Sequence, residues 1–219
     1  MVNIDRVYKI LEKEFQKFDS PVVDLVEAQT KDPFKILITT ILSARTKDTT
    51  TSEVVLKMFE YIHTPDDLAK YTLEELEEMI YPVGFFRNKA LHLLKLPKVL
   101  KDKYNNIVPQ EIDELLELPG VGRKTANLVR AIAFKKPAIC VDVHVHRISN
   151  RLGYVKTSKP LETEMKLREI LPPKYWLNYN SFLVAFGQNH CTPVNPKCST
   201  CPIYNDCNRF GVVTKHEVQ

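Results

Sequence analysis

Apolar residues recur along this chain at intervals of three and four, the repeat of one face of an α-helix, and rarely alternate as in a half-buried strand. Ile4, Val7, Leu11 and Phe15 mark one amphipathic face; Val54, Val55, Met58, Phe59 and Ile62 mark another, behind the polar starter Asp48. Helix starts are well signalled. Asp32-Pro33 and Thr64-Pro65 each place a capping side chain ahead of a proline, whose missing N–H would have no helical partner anyway, and Thr72 with Glu75 has capping-box spacing. Gly187 follows the apolar run Phe182, Leu183, Val184 and Phe186 and is expected to close that helix as a left-handed cap. One stretch differs. Ile139, Val141, Val143 and Val145 alternate with Cys140, Asp142, His144 and His146, a period of two that by itself predicts a strand. The class expected for the chain as a whole is all-α.

Composition supports that class, because only six glycines occur in 219 residues, well below the usual share of about 7% and against a sandwich or barrel. The length fits one domain or two small ones. The longest apolar stretches, such as Ile36 to Leu42, fall far short of the ~20 residues that a membrane span requires. The first residues alternate charge with apolar side chains and carry too many acids for a targeting segment, so a soluble intracellular protein is expected. A net charge of +4 says little by itself. Its distribution says more: Arg87, Lys89, Lys95, Lys98, Lys101 and Lys103 face only Asp102 in one segment, while Asp66 to Glu78 is acidic. Either one surface is basic, or these are ordinary solvated helix faces.

Candidate chemistry is concentrated at two places. Cys191, Cys198, Cys201 and Cys207 follow the order C-x6-C-x2-C-x5-C, with Cys140 apart inside an apolar run as a small buried hydrophobe. Clustered thiols in a reducing compartment point to a metal site, and spacing alone leaves iron–sulfur and zinc both open. The second place is a hairpin. Ile112, Leu115 and Leu116 form the inward face of a short helix ending at Leu118-Pro119-Gly120-Val121-Gly122, and a second helix follows from Arg123 through Phe134. Glycines there permit positive φ and close backbone approach, and the helix N-terminus beyond them suits a phosphate, which positions DNA without reading bases. A plain helix-turn-helix corner is the alternative. Lys124 sits against the helix dipole, which together with partial burial would favour its neutral, nucleophilic form; a solvated lysine or a further phosphate contact is the bland reading.

The run Leu118-Pro-Gly-Val-Gly-Arg-Lys-Thr-Ala-Asn127, the segment Val141-Asp-Val-His144 and the four-cysteine tail together resemble the endonuclease III family of DNA glycosylases. The resemblance extends from Ile41-Leu-Ser-Ala-Arg-Thr-Lys-Asp48 to the last cysteine. It implies two helical lobes with a DNA cleft between them: a six-helix barrel over 26–136, holding a helix-hairpin-helix at 111–134, and a second helical domain of 1–25 plus 137–219 with the cluster loop at 191–207. It implies a 4Fe-4S cluster on Cys191, Cys198, Cys201 and Cys207, which orders a loop facing DNA. Lys124 and Asp142 take the catalytic positions, with Asp142 capping a helix instead of lying in a strand. A strand would leave that carboxylate unpaired in the core, which is costly. Gly120, Val121, Gly122, Arg123 and Thr125, with Arg45 and Lys197, are the implied DNA contacts. Arg45 departs from the family, where glutamine often fills the gap left by a flipped base, and Lys197 is the sole basic residue between Cys191 and Cys198.

The implied activity is base excision from damaged duplex DNA, with oxidised pyrimidines as substrates, a lysine Schiff base and β-elimination at the abasic site. Within the fold, a T:G or U:G mismatch glycosylase is the main alternative, although a tyrosine is typical where Lys124 stands. An adenine glycosylase usually lacks that lysine and adds a C-terminal domain beyond a chain ending like Gln219. A non-catalytic DNA-binding module and an electron-transfer protein are the alternatives from other classes. A monomer is expected, in a prokaryotic cytoplasm near the nucleoid, with a nucleus as the other compartment that fits.

Overall fold

The structure is a computed structural model and describes residues 2–18 and 22–212. Residues 1, 19–21 and 213–219, all assigned above to the second domain and including Gln219, lie outside the described residues. In chain order the helices are α1 (Ile4–Phe15), α2 (Val22–Thr30), α3 (Pro33–Ser43), α4 (Asp48–Met58), α5 (Pro65–Leu68) and α6 (Leu73–Ile80). They continue with α7 (Phe86–Tyr104), α8 (Ile112–Leu116), α9 (Arg123–Phe134), α10 (Val143–Leu152), α11 (Pro160–Ile170) and α12 (Trp176–Asn189). Short 3-10 turns occupy Pro173–Tyr175, Cys198–Thr200 and Tyr204–Asp206. Among the described residues there is no strand, and no helix is long and apolar enough to cross a membrane.

The chain divides into two compact units, Met1–Pro21 with Pro137–Gln219, and Val22–Lys136. The division falls at Val22, four residues ahead of the expected one, because Val22, Val23 and Val26 all enter one core from α2. That core is organised around α3, where Phe34, Ile36, Leu37, Ile38, Ile41 and Leu42 are all buried. Each such side chain contributes roughly 1.5–3 kcal/mol on burial. Thr39 and Thr40 lie on the same helix and are buried without cost in unmade bonds, since their hydroxyls donate to the Lys35 and Ile36 carbonyls, 2.7 Å each. The caps expected at Asp32, Thr64 and Thr72 are all made by side-chain oxygens, the latter two as full capping boxes.

In the other unit α1 returns to pack on α12, with Tyr8 stacked on Tyr175 at 3.9 Å between ring centroids and Phe182 beside them. Val7 and Leu11 complete the buried stripe. Two expectations are corrected here. Gly187 does not end α12; it is buried inside the helix, where a Cβ would lie 2.4 Å from His144 Nδ1. Glycine is required there for close approach to α10, not for a left-handed cap. The alternating stretch is not a strand: Ala138 to Asp142 is buried, irregular chain, and α10 starts at Val143. The alternation ends where Val143 becomes 67% exposed.

Candidate active site and cluster loop

The hairpin is built as its sequence demands. Leu115 and Leu118 are buried and anchor α8, while Leu116 points outward, so the inward face is narrower than the pattern predicted. The Leu118 carbonyl accepts from Val121 N–H at 3.1 Å, which closes the turn. Gly120 has φ +78, and a Cβ on it would sit 3.0 Å from His92 Cβ, so both conformation and space demand glycine. Gly122 differs: it is extended, caps α9 without a side chain, and has open space around it. The first helical bond of α9 runs from Ala126 N–H to the Gly122 carbonyl, 2.9 Å. The N–H groups ahead of it have no partner within the helix and lie at the positive end of its dipole.

Gly120, Gly122, Arg123 and Lys124 are all exposed on this tip. Val121 and Thr125 have buried side chains, so their contribution to a ligand is made by backbone groups. Arg45 lies in the α3–α4 loop with φ +55, and its guanidinium stands 5.5 Å over the ring of exposed Phe85, itself at φ +59. The basic stripe on α7 is only partly a solvated face. Lys98 pairs with Asp102, Lys103 with Glu117 and Arg87 with Glu77. Lys89 is buried and donates to the Leu42 and Ala44 carbonyls and to Thr46 Oγ1. Burial pushes its pKa down to about 8. The sequence carried a signal for this, because Lys89 falls in helical phase with Leu93, Leu96 and Leu100 on the buried stripe.

Asp142 is 9% exposed and caps α10, its Oδ1 accepting from the backbone N–H groups of His144 at 2.8 Å and Val145 at 2.9 Å. Those bonds answer the cost of burying a carboxylate. Two arginines further along α10 reach toward the cysteine loop, and neither was expected from sequence. Arg147 donates to the Gly187 carbonyl and, from two nitrogens, to the Cys191 carbonyl; Arg151 donates to the Thr192 and Pro193 carbonyls and lies 3.4 Å from Cys191 Sγ.

All four clustered cysteines line one recess, together with Ile148, Leu152, Phe186 and Ile203. They carry no disulfide, and Cys140 is buried elsewhere, as expected. Among the described residues no three His, Cys, Asp or Glu side chains close on a single metal ion. The donor set nevertheless suits a metal cluster. Burial holds the Cys201 thiol up at about 11 and also raises Cys198 and Cys207, so thiolates gathered there call for a cationic metal centre to offset them. Lys197 is exposed on the same loop.

Residues 38–173 match the model for the HhH-GPD superfamily base excision DNA repair protein, and residues 191–207 match the iron–sulfur binding domain of endonuclease III. The sequence is 47% identical to endonuclease III of Thermotoga maritima, covering 86% of this chain and 88% of that protein. The fold is similar to that of an endonuclease III trapped as a covalent intermediate with DNA in an estranged-adenine complex, with a TM-score of 0.84, 40% identity and 94% of each chain covered. It is also similar to a thermostable thymine-DNA glycosylase, with a TM-score of 0.81 and 26% identity over 94% of this chain and 95% of that one.

Proposed function

Since the chain belongs to the endonuclease III family of base excision repair proteins and is a DNA glycosylase with abasic-site lyase activity, we propose that Lys124 is its nucleophile and oxidised pyrimidines in duplex DNA its substrates. The observation that carries this reading is the placement of an exposed lysine in the first turn of α9, directly after a hairpin turned at Gly120 and capped at Gly122.

In the proposed sequence the damaged nucleotide leaves the stack, because its sugar carbon is inaccessible inside the duplex. The Lys124 amine bonds to that carbon as the glycosidic bond breaks, and the base departs with the bonding electrons and takes up a proton. Opening of the sugar ring gives an imine to Lys124, which acidifies the neighbouring carbon. Loss of that proton expels the 3'-phosphate oxygen with its electron pair and nicks the strand. Asp142 serves as proton acceptor and stabilises positive charge on the sugar; its two backbone donors hold the carboxylate in place for this work. Gly120, Val121, Gly122, Arg123 and Thr125 hold phosphate through the hairpin amides and the Arg123 charge, while Arg45 fills the gap in the duplex and Lys197 contacts the backbone.

Cys191, Cys198, Cys201 and Cys207 hold the iron–sulfur cluster of this family, assigned as 4Fe-4S, which supplies order to the 191–207 loop instead of base-removal chemistry. We further place the enzyme as a monomer in a prokaryotic cytoplasm. Borohydride trapping on duplexes carrying thymine glycol, a T:G mismatch or an abasic site tests the reading. A covalent adduct on thymine glycol that vanishes in Lys124→Gln is expected; an undiminished adduct in that variant contradicts it. The likeness to a thymine-DNA glycosylase, together with Arg45, favours mismatch processing as the second reading, and preferential excision from the T:G duplex would select it.

A further inference from the structure

We propose that Lys89 is a positioning residue for Arg45, clamping the α3–α4 loop from beneath so that the arginine is presented to DNA in a preset backbone conformation. The inference rests on the reading of Arg45 as a DNA contact.

Lys89 is 6% exposed, and its ammonium donates to three acceptors at the end of α3 and on the loop that follows: the Leu42 carbonyl at 2.8 Å, the Ala44 carbonyl at 2.6 Å and Thr46 Oγ1 at 3.1 Å. These acceptors lie on both sides of Arg45. The first belongs to the last turn of α3, where a cation also meets the negative end of the helix dipole. Thr46 Oγ1 is shared, since it accepts from Gly84 N–H at 3.1 Å as well. Gly84 in turn packs so closely on the loop that a Cβ would lie 2.6 Å from the Arg45 carbonyl. One buried cation thus ties together the end of α3, the Arg45 loop and the turn that carries Phe85.

The cost of this arrangement argues for a purpose. A buried ammonium is expensive, and an apolar side chain of similar length would fill the same place more cheaply. Helix capping alone is served by one carbonyl; Lys89 spends its other donors around a residue held at φ +55, a region that L side chains rarely adopt. Preset geometry of this kind matters for catalysis, because misplacement of a contact by about 1 Å costs up to about 100-fold in rate.

The test is a double-mutant cycle on the iron–sulfur-loaded enzyme, reading single-turnover base excision at saturating protein and affinity for undamaged duplex. Arg45→Ala is expected to slow excision about ten-fold or more, and Lys89→Met to slow it comparably with affinity for undamaged duplex unchanged. In the Arg45→Ala background, Lys89→Met adds less than about two-fold. Thr46→Val reproduces part of the defect and Thr46→Ser, which keeps the hydroxyl, restores it. This pair, made with Arg45 and with Ala at that position, decides the matter if Lys89→Met does not fold. Multiplicative losses, or Thr46→Val equal to wild type, overturn the positioning role while leaving Arg45 on DNA. Full activity of Arg45→Ala on every duplex overturns the DNA-contact reading and this inference with it.

Discussion

The starts of α9 and α10 are the same local element put to opposite uses. Helix α9 begins at Gly122, which offers its first amides no capping side chain; α10 begins at Asp142, whose carboxylate accepts from two amides of that helix's own first turn. A glycine cap keeps an anion site open to an outside phosphate, whereas an aspartate cap fills the site and thereby fixes a buried carboxylate. On the proposed reading, the choice of one capping residue decides whether a helix start binds phosphate or orients a catalytic carboxylate.

The largest effects should come from separating the two roles of Asp142. Asp142→Asn keeps a capping oxygen but removes the charge, so excision should fall by about 100-fold or more with little change in melting temperature. Asp142→Ala should lose the activity and also about 0.5–2 kcal/mol of stability. Equal melting curves for the two variants would show that the cap contributes nothing. Next is the reverse experiment on α9. A Cβ at Gly122 meets no atom within 4 Å, so Gly122→Asp should raise stability by a few tenths of a kcal/mol while weakening duplex binding about ten-fold, measured by melting and salt-dependent titration. Gly120→Ala, two residues away, should destabilise, because that position has φ +78 and His92 against it.

The same positions show what was readable in the sequence. Helix starts at Asp32, Thr64 and Thr72 were legible because capping and proline chemistry act within a few residues, and that at Arg123 because the glycine hairpin ends directly before it. Gly187 was misread because its reason lies on another helix, in the space taken by His144. The alternation around Asp142 imitates a strand because irregular chain burying Ile139 and Val141 runs without a break into α10. Resemblance to the endonuclease III family identified its cap; periodicity did not. Lys89, Arg147 and Arg151 were missed because charge alone gives no sign of burial, although helical phase would have placed Lys89 among leucines.

Smaller effects depend on pH. Burial holds Lys89 near 8, below its ordinary 10.5. Between those values the unfolded chain binds a proton that the native state has released, so wild-type stability should rise with pH relative to Lys89→Met. Melting temperatures of the pair should diverge in wild type's favour from pH 8 to 10.5 and stay parallel below. The smallest effect belongs to Glu111, ahead of α8, where hydrogen bonds from Lys136 and Arg130 lower its pKa from 4.5 to about 2. Its contribution is present above pH 4.5 and lost as pH falls through about 2, so a slight deficit of Glu111→Gln at neutral pH should disappear in acid.

The most direct test of the account is peptide mapping of the borohydride-trapped complex with duplex DNA carrying thymine glycol. The account predicts that the residual sugar is found on the peptide containing Lys124, at the open start of α9. A sugar attached to any other lysine or to the N-terminal amine, with Lys124 unmodified, would contradict it.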